Sequence, residues 1–137
     1  MTDLKLAVSD IEDLTVLSSL LQDATVLIGD MGYDQDLQQF LMVAARFVEP
    51  EQQGEAAARR LIGVNFSGVK RIMRRGFSPQ DRDDVLNLLA IQANGTNIEV
   101  VFSGAAMLRL ECDAIKVYAA DLGEGWATQF KPGHETT

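Results

Sequence analysis

The stretch Arg60-Leu61-Ile62-Gly63-Val64-Asn65-Phe66-Ser67-Gly68-Val69-Lys70-Arg71-Ile72-Met73-Arg74-Arg75-Gly76 decides how the chain is read. Ile62, Val64 and Phe66 alternate with Leu61, Gly63 and Asn65, the period-two pattern of a strand with one buried face. Gly68 interrupts the run. In the segment that follows, Arg71, Met73 and Arg75 share one face, while Lys70, Ile72 and Arg74 share the other. Read locally, these are strands 60–67 and 69–76 of a hairpin pivoting at Gly68. Both faces of the second strand carry cations, so part of it is exposed or lies at a sheet edge.

Reading outward, hairpins recur. Residues 25–33 and 39–48 flank the polar turn Asp34-Gln35-Asp36, and the polar stretch Glu49 to Glu55, broken by Pro50 and Gly54, reads as an exposed loop. Ser78-Pro79-Gln80-Asp81 suggests a single helical turn ahead of a strand over 85–92, which Asn94-Gly95 turns back onto 97–103. In 107–112, Leu108, Leu110 and Cys112 alternate with Met107, Arg109 and Glu111. Two helices complete the pattern. Ser9-Asp10-Ile11-Glu12 has the capping-box form, and Ile11, Leu14, Leu17, Leu20, Leu21 and Ala24 give a helix over 10–23 its apolar stripe. Ile115, Tyr118, Ala119 and Leu122 have helical spacing over 113–122, with Gly123 placed to end that helix. The expected fold is α+β and mainly antiparallel: seven strands in sequential hairpins with an N-terminal and a C-terminal helix. That order matches a pleckstrin-homology-like barrel, with the first helix covering an open end or edge. Residues 1–126 form a single globular domain and 127–137 a flexible tail. Val64-Asn65-Phe66-Ser67-Gly68 and Val100-Val101-Phe102-Ser103-Gly104 echo each other, as an internal duplication or as ordinary turn chemistry after a strand.

A chain of 137 residues, 47% hydrophobic, can bury enough apolar surface to fold without disulfides or a metal. Its net charge of −8 disfavours diffuse attraction to nucleic acid. No apolar run approaches the roughly 20 residues of a spanning helix, so no membrane partner is expected. One cysteine and an opening without a secretory pattern suggest a cytoplasmic protein.

The catalytic inventory is thin. His134, the single histidine, lies within four residues of the C-terminus, away from any rigid scaffold. Cys112 shares a face with Leu108 and Leu110 and reads as a small buried hydrophobe. Gly123-Glu124-Gly125 lacks the further glycine of a phosphate-cradling loop, and Ser67 and Ser103 lack a nucleophile elbow. No cofactor is implied. Asp30, Asp34 and Asp36 are a compact acidic group able in principle to hold a divalent cation, with Asp81, Asp83 and Asp84 a second, although neither has EF-hand spacing. A polar hairpin tip and a charged helical turn are the preferred readings of the two groups.

Charge is unevenly distributed. Nine acids precede residue 51 against two bases, whereas from Glu55 to Asp81 the chain carries Arg59, Arg60, Lys70, Arg71, Arg74 and Arg75 and no intervening acid. With no catalytic set elsewhere, the reading is a noncatalytic binding or adaptor domain that engages a protein partner or an anionic ligand through these six side chains. The plainer account is an edge strand whose charges block aggregation. Alternatives are a divalent-metal-dependent enzyme or small-molecule binder using Asp30, Asp34 and Asp36, and a homodimer with a structural role.

Over Phe66 to Gly76, Val85 to Gln92, Phe102 through Arg109-Leu110-Glu111-Cys112, Asp121-Leu122-Gly123 and Trp126-Ala127-Thr128 to Pro132 and His134, the sequence resembles a small bacterial family, domain of unknown function 2948. Leu4 to Asp10 and Leu20 to Gly29 resemble it as well. These are packing and turn motifs. The resemblance implies a soluble, cytoplasmic, single-domain protein and carries no activity, cofactor or catalytic residue.

Overall fold

A computed structural model describes residues 4–48 and 58–122. The expected loop at 49–55, the tail at 127–137 and His134 lie outside the described residues. In chain order the elements are β1 (Lys5–Val8), α1 (Ile11–Leu21), β2 (Thr25–Asp34), β3 (Gln39–Val48), β4 (Ala58–Ser67), β5 (Val69–Arg75), β6 (Val85–Asn94), β7 (Asn97–Phe102), β8 (Met107–Cys112) and β9 (Val117–Asp121). All strand pairings are antiparallel, in the order β1-β9-β4-β3-β2-β6-β7-β8-β5. The α+β class and its antiparallel character therefore hold. The count is nine strands and one helix among the described residues, and the ladder is open, with β1 and β5 at its ends.

The expected helix at 113–122 is instead β9. Its buried residues are Val117, Ala119 and Asp121, with Tyr118 exposed between them, so the governing period is two. β9 inserts between β1 and β4, pairing Val8 with Val117 on one side and Phe66 with Val117 on the other. With a strand there, the barrel order loses the C-terminal helix it calls for.

The hairpin at 60–76 is also corrected. β4 pairs along its length with β3 and over Ile62 to Phe66 with β9, whereas β5 pairs with β8. Gly68, at φ +69, carries the chain from one group of strands to the other. Such a backbone suits a residue without a Cβ. The second crossing is β6, whose Val85, Leu86 and Asn87 pair with β2 before residues from Leu88 onward pair with β7, past an irregularity between Leu88 and Ala90. One strand is thus shared by both groups, and the irregularity marks where it changes partner.

Between the two groups lies one core. Ile62, Val64 and Phe66 are fully buried, as their alternation required, and pack in the same cluster as Phe40, Met42, Leu88, Phe102, Leu108 and Leu110. Helix α1 buries Leu14, Leu17 and Leu21 against β6 and β1 and leaves Ile11 exposed. Its N-cap is Asp10, one residue later than the capping box suggested, with Oδ1 accepting from the Asp13 N–H at 2.8 Å. Ser18 Oγ accepts the Ile91 N–H at 2.8 Å and ties the helix to β6. Instead of a helical turn, 78–84 forms two successive tight turns, closed by Asp81 N–H to Ser78 O and Asp84 N–H to Asp81 O.

Candidate functional site

The six cations of 59–75 divide between the two strand groups. Arg59 and Arg60 stand at the far end of β4 from Gly68, opposite Phe47 and Arg46 of β3. Arg59 Nη1 donates to the Ala45 carbonyl at 3.1 Å. Arg60 Nη1 lies 3.8 Å from Asp121 Oδ2, and Arg46 clamps the same carboxylate with Nε at 3.0 Å and Nη2 at 2.8 Å. Asp121, only 8% exposed, also accepts the Leu4 N–H at 2.9 Å. Burial alone pushes this carboxyl up, but the Arg46 guanidinium, the Leu4 N–H and Arg60 outweigh it and hold the group below its ordinary value. Arg60 thus serves a structural ion cluster whose acid comes from β9.

Lys70, Arg71, Arg74 and Arg75 lie on β5, which among the described residues has a strand neighbour only on its β8 side. Two of the four are engaged. Lys70 Nζ meets Asp113 Oδ1 at 2.9 Å and Arg71 Nη2 meets Glu111 Oε2 at 2.9 Å, both in solvent, and each contact favours the charged form. Arg74 and Arg75 are exposed and pair with no carboxylate among the described residues. As neighbours on a strand they point to opposite faces.

Arg75 faces outward beside Met73, which is 43% exposed, and across from Met107 of β8. With Arg109, and with Arg74 at its border, these side chains line a groove of about 300 Å³. Arg109 is held by Glu99 Oε2 at 3.1 Å, while its buried Nε lacks a partner. Glu99 is itself held by Gln92 Nε2 at 3.0 Å, and that hydrogen bond, together with Arg109, outweighs burial and lowers its pKa.

Arg74 turns the other way, opposite Leu108 on the face that meets β2. There a pocket of about 190 Å³ is lined by Ile28, Met31, Tyr33, Phe40, Phe77 and Leu108, with Arg74 and Arg82 among its polar groups. Sequence reasoning missed Arg82 because it sits inside the acidic run Asp81 to Asp84, and missed Arg109 and the two methionines because strand alternation alone made them surface residues. A lone cation among three acids was the available signal.

The acidic groups do not converge. Asp34 Oδ1 accepts the Leu37 N–H at 3.1 Å as the polar tip of the β2–β3 hairpin, with Asp36 in the same turn. Among the described residues no three His, Cys, Asp or Glu side chains are arranged to hold a metal ion, which applies to Asp30, Asp34 and Asp36 as to Asp81, Asp83 and Asp84. Cys112 is buried, and burial raises its thiol pKa to about 11, far from a reactive thiolate at neutral pH. No helix among the described residues is long and apolar enough to cross a membrane.

The chain belongs to the family described as protein of unknown function DUF2948, whose family model matches residues 4–134. This agrees with the resemblance carried by its packing and turn motifs. No curated protein and no solved structure matches the chain.

Proposed function

We propose that this member of the family is a noncatalytic, cytosolic binding domain that takes an acidic segment of a partner protein across the outer face of β5 and β8. The observation that carries this reading is Arg75: a cation on the terminal strand, unpaired among the described residues, set between two methionines in a groove. Methionine offers an adaptable apolar surface, and a guanidinium receives a carboxylate bidentately. The surrounding acidity of the molecule is screened beyond about 8 Å at physiological salt, so recognition is local and rests on groups in contact. The same cations guard the open edge of β5 against unwanted strand pairing.

The test is affinity capture from the native lysate with the wild-type protein, Arg75→Glu and, as a remote charge control, Lys5→Glu, followed by titration of the captured partner. A protein retained by wild type and by Lys5→Glu but lost with Arg75→Glu supports the reading. Equal retention by all three, or none by any, overturns it.

A further inference from the structure

Between β2 and β5 the sheet does not close, and the gap is bridged at both ends. At one end Tyr33 Oη donates to the Val69 carbonyl at 2.6 Å. At the other, the turns at 78–84 that follow β5 close onto β2: Gly29 N–H donates to Arg82 O at 2.9 Å, Arg82 Nη2 donates to Gly29 O at 3.3 Å, and Ile28 N–H donates to Asp84 O at 3.0 Å. The close approach there depends on Gly29, since a Cβ would lie 3.0 Å from the Arg82 carbonyl oxygen. What remains between the bridges is the pocket of about 190 Å³. Phe40, Ile28 and Leu108, each buried, form its floor, and the exposed Arg74, Pro79 and Arg82 form its mouth.

The geometry points to a binding site for a small monocarboxylate with a ring-sized apolar body, its carboxylate on Arg74 and Arg82 and its body against Phe40, Phe77 and Leu108. Size sets the body, because an apolar cavity of about 150 Å³ is enough to hold benzene. Charge sets the head. Neither guanidinium has a carboxylate partner among the described residues, and Arg82 is held only by the long bond to Gly29 O. The flanking acids Asp81, Asp83 and Asp84 make no ion pair with Arg82, yet their field opposes a multiply charged anion. A single negative charge is therefore favoured over a phosphate. The site lies on the opposite face of β5 from the outer groove and does not use Arg75; Arg74 borders both cavities, whereas Arg82 belongs to this one alone.

The experiment is isothermal titration calorimetry with benzoate, with benzamide and acetate as probes lacking the charge or the ring. Benzoate should bind in a one-to-one complex in the millimolar range or tighter, and both control probes should bind more weakly. Arg74→Gln and Arg82→Gln, at exposed positions that do not threaten folding, should each weaken benzoate about tenfold or more, the effect of losing a hydrogen bond to a charged group. Arg75→Glu should leave benzoate binding unchanged while it removes the outer-face partner, which separates the two sites. No binding of millimolar benzoate, or equal binding by wild type, Arg74→Gln and Arg82→Gln, would overturn the assignment.

Discussion

Arg60 and Arg74 look alike in the sequence, two arginines in one basic stretch, yet they end in opposite situations. At the β4–β9 junction Arg46 and Arg60 converge on one buried carboxylate, so both are engaged within the fold. On β5 the acids within reach, Glu111 and Asp113, are taken by Arg71 and Lys70, leaving Arg74 and Arg75 over. Availability of a charge is thus decided by which acids the topology brings alongside it, and the number of cations in a segment says little about it. A buried ion pair that loses one member leaves the other desolvated, whereas an exposed cation loses little when removed.

That contrast can be broken experimentally. Asp121→Ala should have the largest effect, since it strands Arg46, which is 15% exposed, and leaves the Leu4 N–H without its partner; a loss of about 3 kcal/mol is expected, read from the urea midpoint. A result near zero would mean that the two regions do not differ in the way the burial of Asp121 implies. On the β5 side the sensitive position is a glycine. Gly76 has φ +86, and a methyl there would sit 2.5 Å from the Ala105 carbonyl oxygen, so Gly76→Ala should cost about 2 kcal/mol in the same assay. Acid titration should give a smaller loss. Because the Asp121 carboxyl is held below its ordinary 3.8, its contribution is fully present above that pH and disappears as the pH falls through the lowered value. Glu99 acts with the same sign, so the urea midpoint should fall on acidification below about pH 4, and more shallowly in Asp121→Asn. The smallest effect belongs to Arg75→Glu, whose melting temperature should stay within about 2 °C of wild type while partner capture is lost.

Much of the fold was legible because local patterns governed it. Ile62, Val64 and Phe66 alternate without exception, Asn94-Gly95 makes the turn expected of it with Gly95 at φ +67, and the stripe of α1 buries its central leucines. Reading failed where a distant partner set the outcome. In 113–122 the buried alternation ends on Asp121, a carboxylate that a local reading assigns to solvent; distant partners, Arg46 75 residues away and the Leu4 N–H 117 residues away, with Arg60 beside them, make its burial tolerable. The Phe-Ser-Gly echo shows the same limit. Gly68 and Gly104 both adopt positive φ after a buried phenylalanine, yet one carries the chain across to another group of strands and the other turns it into the neighbouring strand. The sequence thus announced two sharp changes of direction and left their destinations open. For the candidate site, the cations of 59–75 were visible in advance, while the removal of Arg60 by Asp121 and of Lys70 and Arg71 by Asp113 and Glu111, and the contribution of Arg82 from a separate loop, depended on long-range pairing.

The pairing of β1 with β9 bears on the order in which the molecule assembles. Leu4 and Asp121, 117 residues apart, are joined by a hydrogen bond, and among the described residues Lys5 to Val8 have strand partners only in β9. During synthesis the first strand made is therefore held waiting until the last described strand has emerged, and contacts of such sequence separation are slow to form. Folding of the described residues should finish late, when β1 and β9 meet, with β9 acting as the latch that admits β1.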